Sequence, residues 1–237
     1  MNKTEFDTGD EKKKEFHLTY KEFFVIIFYI IGISFIGGMF LGLAEAIFGE
    51  QSANQFLEGS FWLIIDAFAT LLVIFLYKPA RHFISGIWDT AVLKNQSTYI
   101  YILIGFIIIG VSQYIMLTLL GIETAEQQRN QLSSTNIQNS VVQIVIYILS
   151  VAIIVPIKEE IMYRGILYRF LKRKHGFIIG IIISSILFGF LHVGFPITAM
   201  IMGIVFVVLY QKTHSIIPSI ILHIFWNLFS SILIILS

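Results

Sequence analysis

The chain has 237 residues, 57% of them hydrophobic and 13% charged, with a mean hydropathy of +0.83. A water-soluble domain carries about 25% charged residues, and a chain of this size cannot hide so much apolar surface from water, so lipid is the expected solvent. A net charge of +1 and a pI of about 7.9 leave no basic field for nucleic acid, and the absence of cysteine removes disulfides, thiolate metal sites and cysteine nucleophiles together.

Residues 1–17 (MNKTEFDTGDEKKKEFH) are charged and poor in apolar residues, which predicts a flexible cytoplasmic tail. No short apolar run with a small-residue cleavage site follows, so no cleavable signal peptide is expected. The remaining residues, 18–237, read as one membrane domain. Its first segment, Tyr20 to Phe48, has an uncharged centre long enough to cross a bilayer, and its four central glycines suit close helix packing. An acidic loop at 49–58 leads to segment two, Ser60 to Tyr77, which holds Asp66 and is closed by Lys78, Pro79 and Arg81. Asp66 reads as a satisfied polar contact, or else as a relay group. Segment three is Thr98 to Leu120, followed at 121–139 by a polar stretch that suits either a surface helix or a disordered loop. Segment four starts near Ser140 and runs to the basic stop Lys172-Arg173-Lys174. Segments five, six and seven are Gly176–His192, Ile197–Tyr210 and Ile216–Leu236, with a tight break at 193–196.

Lys and Arg alternate across this order. The tail, the 78–94 loop, the 169–174 region and Lys212 are basic; the intervening loops carry only Arg129. Seven spans with a cytoplasmic N-terminus fit the positive-inside rule at every loop. The fold class is therefore all-α: a polytopic membrane bundle of about seven transmembrane helices, or eight, in a cell membrane.

The polar groups inside these spans are the chemical signal, because ionisable residues at membrane depth are costly. VPIKEEIMYRGIL, Val155 to Leu167, places Glu159, Glu160 and Arg164 in segment four. Glu160 and Arg164 stand four residues apart and share a helical face; Glu159 points elsewhere and is left to act on substrate or water. Pro156 is positioned to kink the helix nearby. His192 ends segment five, and His223 and Asn227 share one face of segment seven. A glutamate can deprotonate water, a histidine can orient it, and His and Asn N–H groups can stabilise an oxyanion. Alternatively Glu159, His192 and His223 can hold a divalent metal such as zinc that activates the water. Both readings give hydrolysis of an amide. Two others stand beside them: a non-enzymatic immunity or regulatory protein, and a proton-coupled transporter, which the lack of a repeat disfavours. His-Glu-x-x-His, Gly-x-Ser-x-Gly and phosphate-loop motifs are absent.

Glu159-Glu160-x-x-x-Arg164, then Phe188-x-x-x-His192, then His223-x-x-x-Asn227 resemble, in order, the three motifs of the CAAX protease and bacteriocin-processing family, the Abi family of intramembrane proteases. The resemblance covers about residues 140–230. It implies an all-helical membrane endopeptidase in which Glu159 activates water with His192, His223 and Asn227 form the oxyanion site, and Glu160 with Arg164 supports Glu159. The family is described both as metalloproteases and as metal-free glutamate enzymes. Eukaryotic members cut prenylated C-terminal tails; this compact chain is more similar to bacterial members of the plasma membrane, linked to peptide maturation or bacteriocin self-immunity. The implied partner is a hydrophobic peptide or a membrane protein. One expectation is in tension with the topology: counted from the cytoplasmic side, His192 falls about 25 Å deep and His223 only about 12 Å. The two can meet if segment five tilts or starts outside the bilayer, or if the 193–196 turn is buried at membrane depth beside a polar cavity; the last is the expectation adopted.

Overall fold

The computed structural model describes residues 16–48, 60–124, 126–127 and 141–236. Most of the tail, the acidic loop at 49–58 and nearly all of the polar stretch after residue 124 lie outside the described residues. Helix α1 is Tyr20–Phe48, matching the expected segment. Helix α2 is Ser60–Leu76, and the chain then bends by 93° into a short helix α3, Lys78–Ile84. The basic residues that were expected only to close segment two thus start a new element, with Pro79 in its first turn, where its missing N–H leaves no bond unmade. After a 3₁₀ turn come α4, Gln96–Leu119, and α5, Val141–His175. Helices α6 (Phe177–Phe190), α7 (Pro196–Thr213) and α8 (Ile217–Leu236) complete the bundle. No strand occurs among the described residues, as expected where lipid offers the backbone no hydrogen bonds.

Helices α1, α4, α5 and α7 are each long and apolar enough to cross a membrane, and the bent α2–α3 pair makes a fifth candidate. The apolar stretches Phe177–Phe190 in α6 and Ile217–Leu233 in α8 are shorter. The outer faces carry large apolar side chains, among them Phe28, Phe68, Leu103 and Ile178, each more than half exposed, which suits contact with lipid tails.

Helix α5 is the axis of the molecule. It alternates π-helical turns at Ile148–Ile154 and Ile161–Tyr168 with α-helical turns at Val155–Glu160 and Arg169–His175. Pro156 was expected to kink the helix. Instead Pro156 stands in the first turn of an α-helical stretch that directly follows a π-helical one, and the helix continues through it. Helices α6 and α7 pack closely enough that two glycines are required. A Cβ on Gly203 would lie 2.9 Å from the Ser185 Cα, and one on Gly189 would lie 2.5 Å from the Pro196 carbonyl oxygen.

One end of the bundle gathers the basic regions. Arg169 donates to the Phe83 carbonyl, Arg173 to the Phe16 carbonyl at 2.6 Å, and Lys172 to Gln211 at 2.7 Å. Ser215 donates to the Asp89 carbonyl at 2.9 Å. These are the segments that charge alternation assigns to one side of the membrane. At the other end, the buried Glu123 carboxylate accepts from the Ile197 and Thr198 N–H groups and the Thr198 hydroxyl, at 2.7, 3.0 and 2.5 Å. It thereby satisfies the first free N–H groups of α7.

The depth tension is resolved mainly by a different turn from the one expected. Val193 is 76% exposed, although Gly194 and Phe195 are buried, so the 193–196 turn is only half enclosed. At the α7–α8 turn His214 is exposed while Ser215 and Ile216 are enclosed, so α8 starts inside the rim of the basic end. Ser215 and Ile216 are fully buried, and the Ile216 side chain packs against Gly165. Gly165 stands about ten residues, or about 15 Å, inside the basic end of α5. His223 lies about six residues further in, adding about 9 Å, so it reaches the roughly 24 Å depth of Glu159. His192 reaches the same depth because it and Glu159 lie at nearly equal separations, about 16 and 17 residues, on either side of Gly176, where the chain turns back.

Candidate active site

The two glutamates of α5 face different surroundings. Glu160 is fully buried; its Oε1 accepts from Arg164 Nη1 at 2.7 Å and contacts His223 Nδ1 at 3.0 Å. Arg164, 1% exposed, also donates from Nη2 to the Gly203 carbonyl at 3.3 Å, and its guanidinium lies 4.6 and 4.7 Å from the Phe188 and Phe206 ring centres. A charge at this depth needs such partners. Glu160 and Arg164 thus form a sealed pair behind the site, and neither lines the cavity.

Glu159 does line it. The cavity, of about 290 Å³, is also lined by His192, His223 and Asn227, with apolar walls that include Leu63 and Trp226. Glu159 Oε2 lies 3.9 Å from His192 Nε2 and 3.8 Å from His223 Nε2. The six residues singled out in the sequence are therefore brought together: four on the cavity wall and two directly behind it.

The hydrogen bonds define the tautomers. His192 Nδ1 is 2.6 Å from the Phe188 carbonyl, which can only accept, so Nδ1 carries the proton. His223 Nδ1 donates in the same way to the Arg164-paired Glu160 carboxylate. In the neutral imidazoles both Nε2 atoms are then acceptors, and both face the carboxylate oxygen of Glu159. Three acceptor atoms around one point call for a donor or a cation between them. Separations of 3.8 and 3.9 Å are too long for direct hydrogen bonds and suit a bridging water. The donor set also suits a divalent metal, but tetrahedral zinc holds its ligand atoms about 3.3 Å apart, closer than these. Among the described residues no three His, Asp or Glu side chains are gathered into a metal-holding group.

Asn227 donates from Nδ2 to the Val151 carbonyl at 2.9 Å. This ties α8 to the first π-helical stretch of α5, where the backbone departs from the α-helical ladder. The second amide N–H is left for the cavity. Asp66 is a satisfied polar contact: it accepts from the Ser34 hydroxyl at 2.6 Å and from Lys158 Nζ at 2.9 Å. Two residues near the site were not singled out in the sequence as acting there. Glu123 looked like loop polarity, and only the approach of α7 reveals it as a buried cap. Tyr163 looked like one more aromatic in an apolar run, although its i+4 spacing from Glu159 was a usable signal.

A carboxylate faced by two imidazoles thus lines a cavity within a bundle of membrane-length helices. Residues 141–229 match the family model described as type II CAAX prenyl endopeptidase Rce1-like. The match covers 89 of the 237 residues and falls on the region whose three motifs resemble the CAAX protease family. No curated protein and no solved structure matches the chain.

Proposed function

We propose that the protein hydrolyses a peptide bond of a hydrophobic peptide or membrane-associated protein within a bacterial plasma membrane, with Glu159 as the base. The carrying observation is the convergence of three acceptor atoms, Glu159 Oε2 and the two Nε2 atoms, on one point of an apolar-walled cavity. A water there donates toward Glu159 and His192, loses a proton to Glu159, and attacks the scissile carbonyl carbon. The proton then passes to the leaving amine. Glu160, held by Arg164, fixes His223 by its Nδ1. Asn227 offers its second N–H to the carbonyl oxygen of the substrate. Peptide maturation or bacteriocin self-immunity are roles such an activity serves.

A divalent cation, if bound, would be held by Glu159, His192 and His223, and would supply the acidity that activates the water. The test of the whole reading is Glu159→Gln in proteoliposomes. Loss of a general base removes about 10²- to 10⁴-fold in rate, so cleavage of quenched-fluorescent apolar peptides is expected to vanish while the protein remains folded. Full cleavage by this variant sinks the proposal. Metal analysis of the purified protein, with and without chelator, decides between the bare-glutamate and cation-assisted forms.

A further inference from the structure

Hydrolysis of an amide needs hydrogen-bond donors where the carbonyl oxygen gains charge. The cavity is short of them. His223 Nδ1–H is committed to Glu160, so its Nε2 donates only as imidazolium, and His192 Nδ1–H is committed to the Phe188 carbonyl. Asn227 has already given one N–H to Val151, and Lys158 is paired with Asp66.

Tyr163 supplies what is missing. It stands four residues beyond Glu159 on α5 and lines the same cavity. Its ring is 7% exposed and is held edge-on against Phe188, with centroids 4.9 Å apart. Phe188 is in turn the residue whose carbonyl orients His192. The Tyr168 hydroxyl is sealed in the packing with no hydrogen-bond partner among the described residues. The Tyr163 hydroxyl differs: among the described residues it makes no hydrogen bond to the protein, yet it is not sealed away. A phenol with a fixed ring and an uncommitted O–H at a cavity wall is a pre-positioned donor, because binding substrate requires no internal bond to break.

We propose that Tyr163 is a further catalytic residue, donating its O–H to the carbonyl oxygen of the scissile bond. This rests on the protease reading above. As the water oxygen bonds to the carbonyl carbon, its proton goes to Glu159 and the C=O π pair moves onto oxygen. The Tyr163 O–H bonds to that oxyanion without transferring its proton. On collapse the C–N bond breaks, the amine leaves with the proton from Glu159, and the hydrogen bond weakens again.

Tyr163→Phe is a direct test, because it removes the oxygen and keeps the packed ring. Purified variants are assayed in proteoliposomes with a quenched-fluorescent apolar octapeptide that the wild type cuts. The expected result for Tyr163→Phe is a fall in kcat of about 10²- to 10³-fold, with KM and thermal stability unchanged. A phosphinic analogue of the same peptide, which mimics the tetrahedral oxyanion, should lose affinity for Tyr163→Phe by a similar factor, while an uncleaved amide analogue should not. Wild-type kcat and phosphinate affinity in Tyr163→Phe, with Glu159→Gln inactive, overturn this inference alone. A change confined to KM or to stability also overturns it. If Glu159→Gln cleaves at the wild-type rate, or the wild type cuts no apolar peptide, the protease reading falls and takes the inference with it.

Discussion

Arg164 shows how a single side chain organises the site without touching the cavity. Its planar fork reaches Glu160 from one nitrogen and the Gly203 carbonyl from another, while its faces lie over Phe188 and Phe206. A lysine keeps the charge but offers neither the fork nor the flat face. Arg164→Lys is therefore expected to destabilise the fold by about 2–4 kcal/mol and to abolish activity, since Glu160 then no longer holds the His223 ring in place. Thermal unfolding in detergent and peptide cleavage check the two parts separately. The i, i+4 pairing of Glu160 and Arg164 was readable from spacing, and so was the freedom of Glu159. The partners across the bundle were not, because the Gly203 carbonyl and the Phe206 ring sit on α7, at separations no periodicity reveals.

At the scale of elements, the α6–α7 hairpin carries His192 to the level of Glu159. Its close approach depends on Gly189, where a Cβ would meet the Met200 side chain at 2.2 Å and the Pro196 carbonyl oxygen at 2.5 Å. The second neighbour is backbone and cannot swing aside. Gly189→Ala is expected to cost about 1–3 kcal/mol through overpacking and to lower cleavage at least tenfold by displacing His192, which follows three residues later; an unfolding curve and a rate measurement would show both. The small residues of this hairpin were visible as composition. Which of them faced another helix was decided by packing. The partly enclosed α7–α8 turn is a second case: hydropathy marks where segment seven is apolar, but it carries no depth, so His223 appeared too shallow until Ser215 and Ile216 were seen buried against the 85–89 loop and α5.

Across the whole molecule, the matched region at 141–229 is buttressed by helices outside it. Asp66 on α2 neutralises Lys158, the neighbour of Glu159, and Ser34 on α1 supports Asp66. Asp66→Asn leaves a lysine without its counter-charge inside the bundle and is expected to lose about 2–4 kcal/mol. The double variant Asp66→Asn with Lys158→Met should recover most of that stability, as measured by thermal unfolding of both proteins; equal instability of the two would show that the charges are not coupled. Topology offers another test. The chain contains no cysteine, so single cysteines report without background. A cytoplasmic N-terminus places Lys174→Cys on the cytoplasmic side and Glu126→Cys on the opposite side, and an impermeant maleimide applied to intact cells should label only the second. The reverse pattern would invert the bundle.

Composition specified lipid as the solvent, and apolar runs of bilayer-spanning length specified helices, because such a segment satisfies its backbone within itself. Motif spacing separated the working glutamate from its support and singled out both histidines and the asparagine. Three things came from packing: the equal depth of Glu159, His192 and His223, the tautomer of each imidazole, and the cavity face of Tyr163. Each depends on contacts between residues dozens of positions apart, and a linear pattern holds periodicity along one helix but no distance between two.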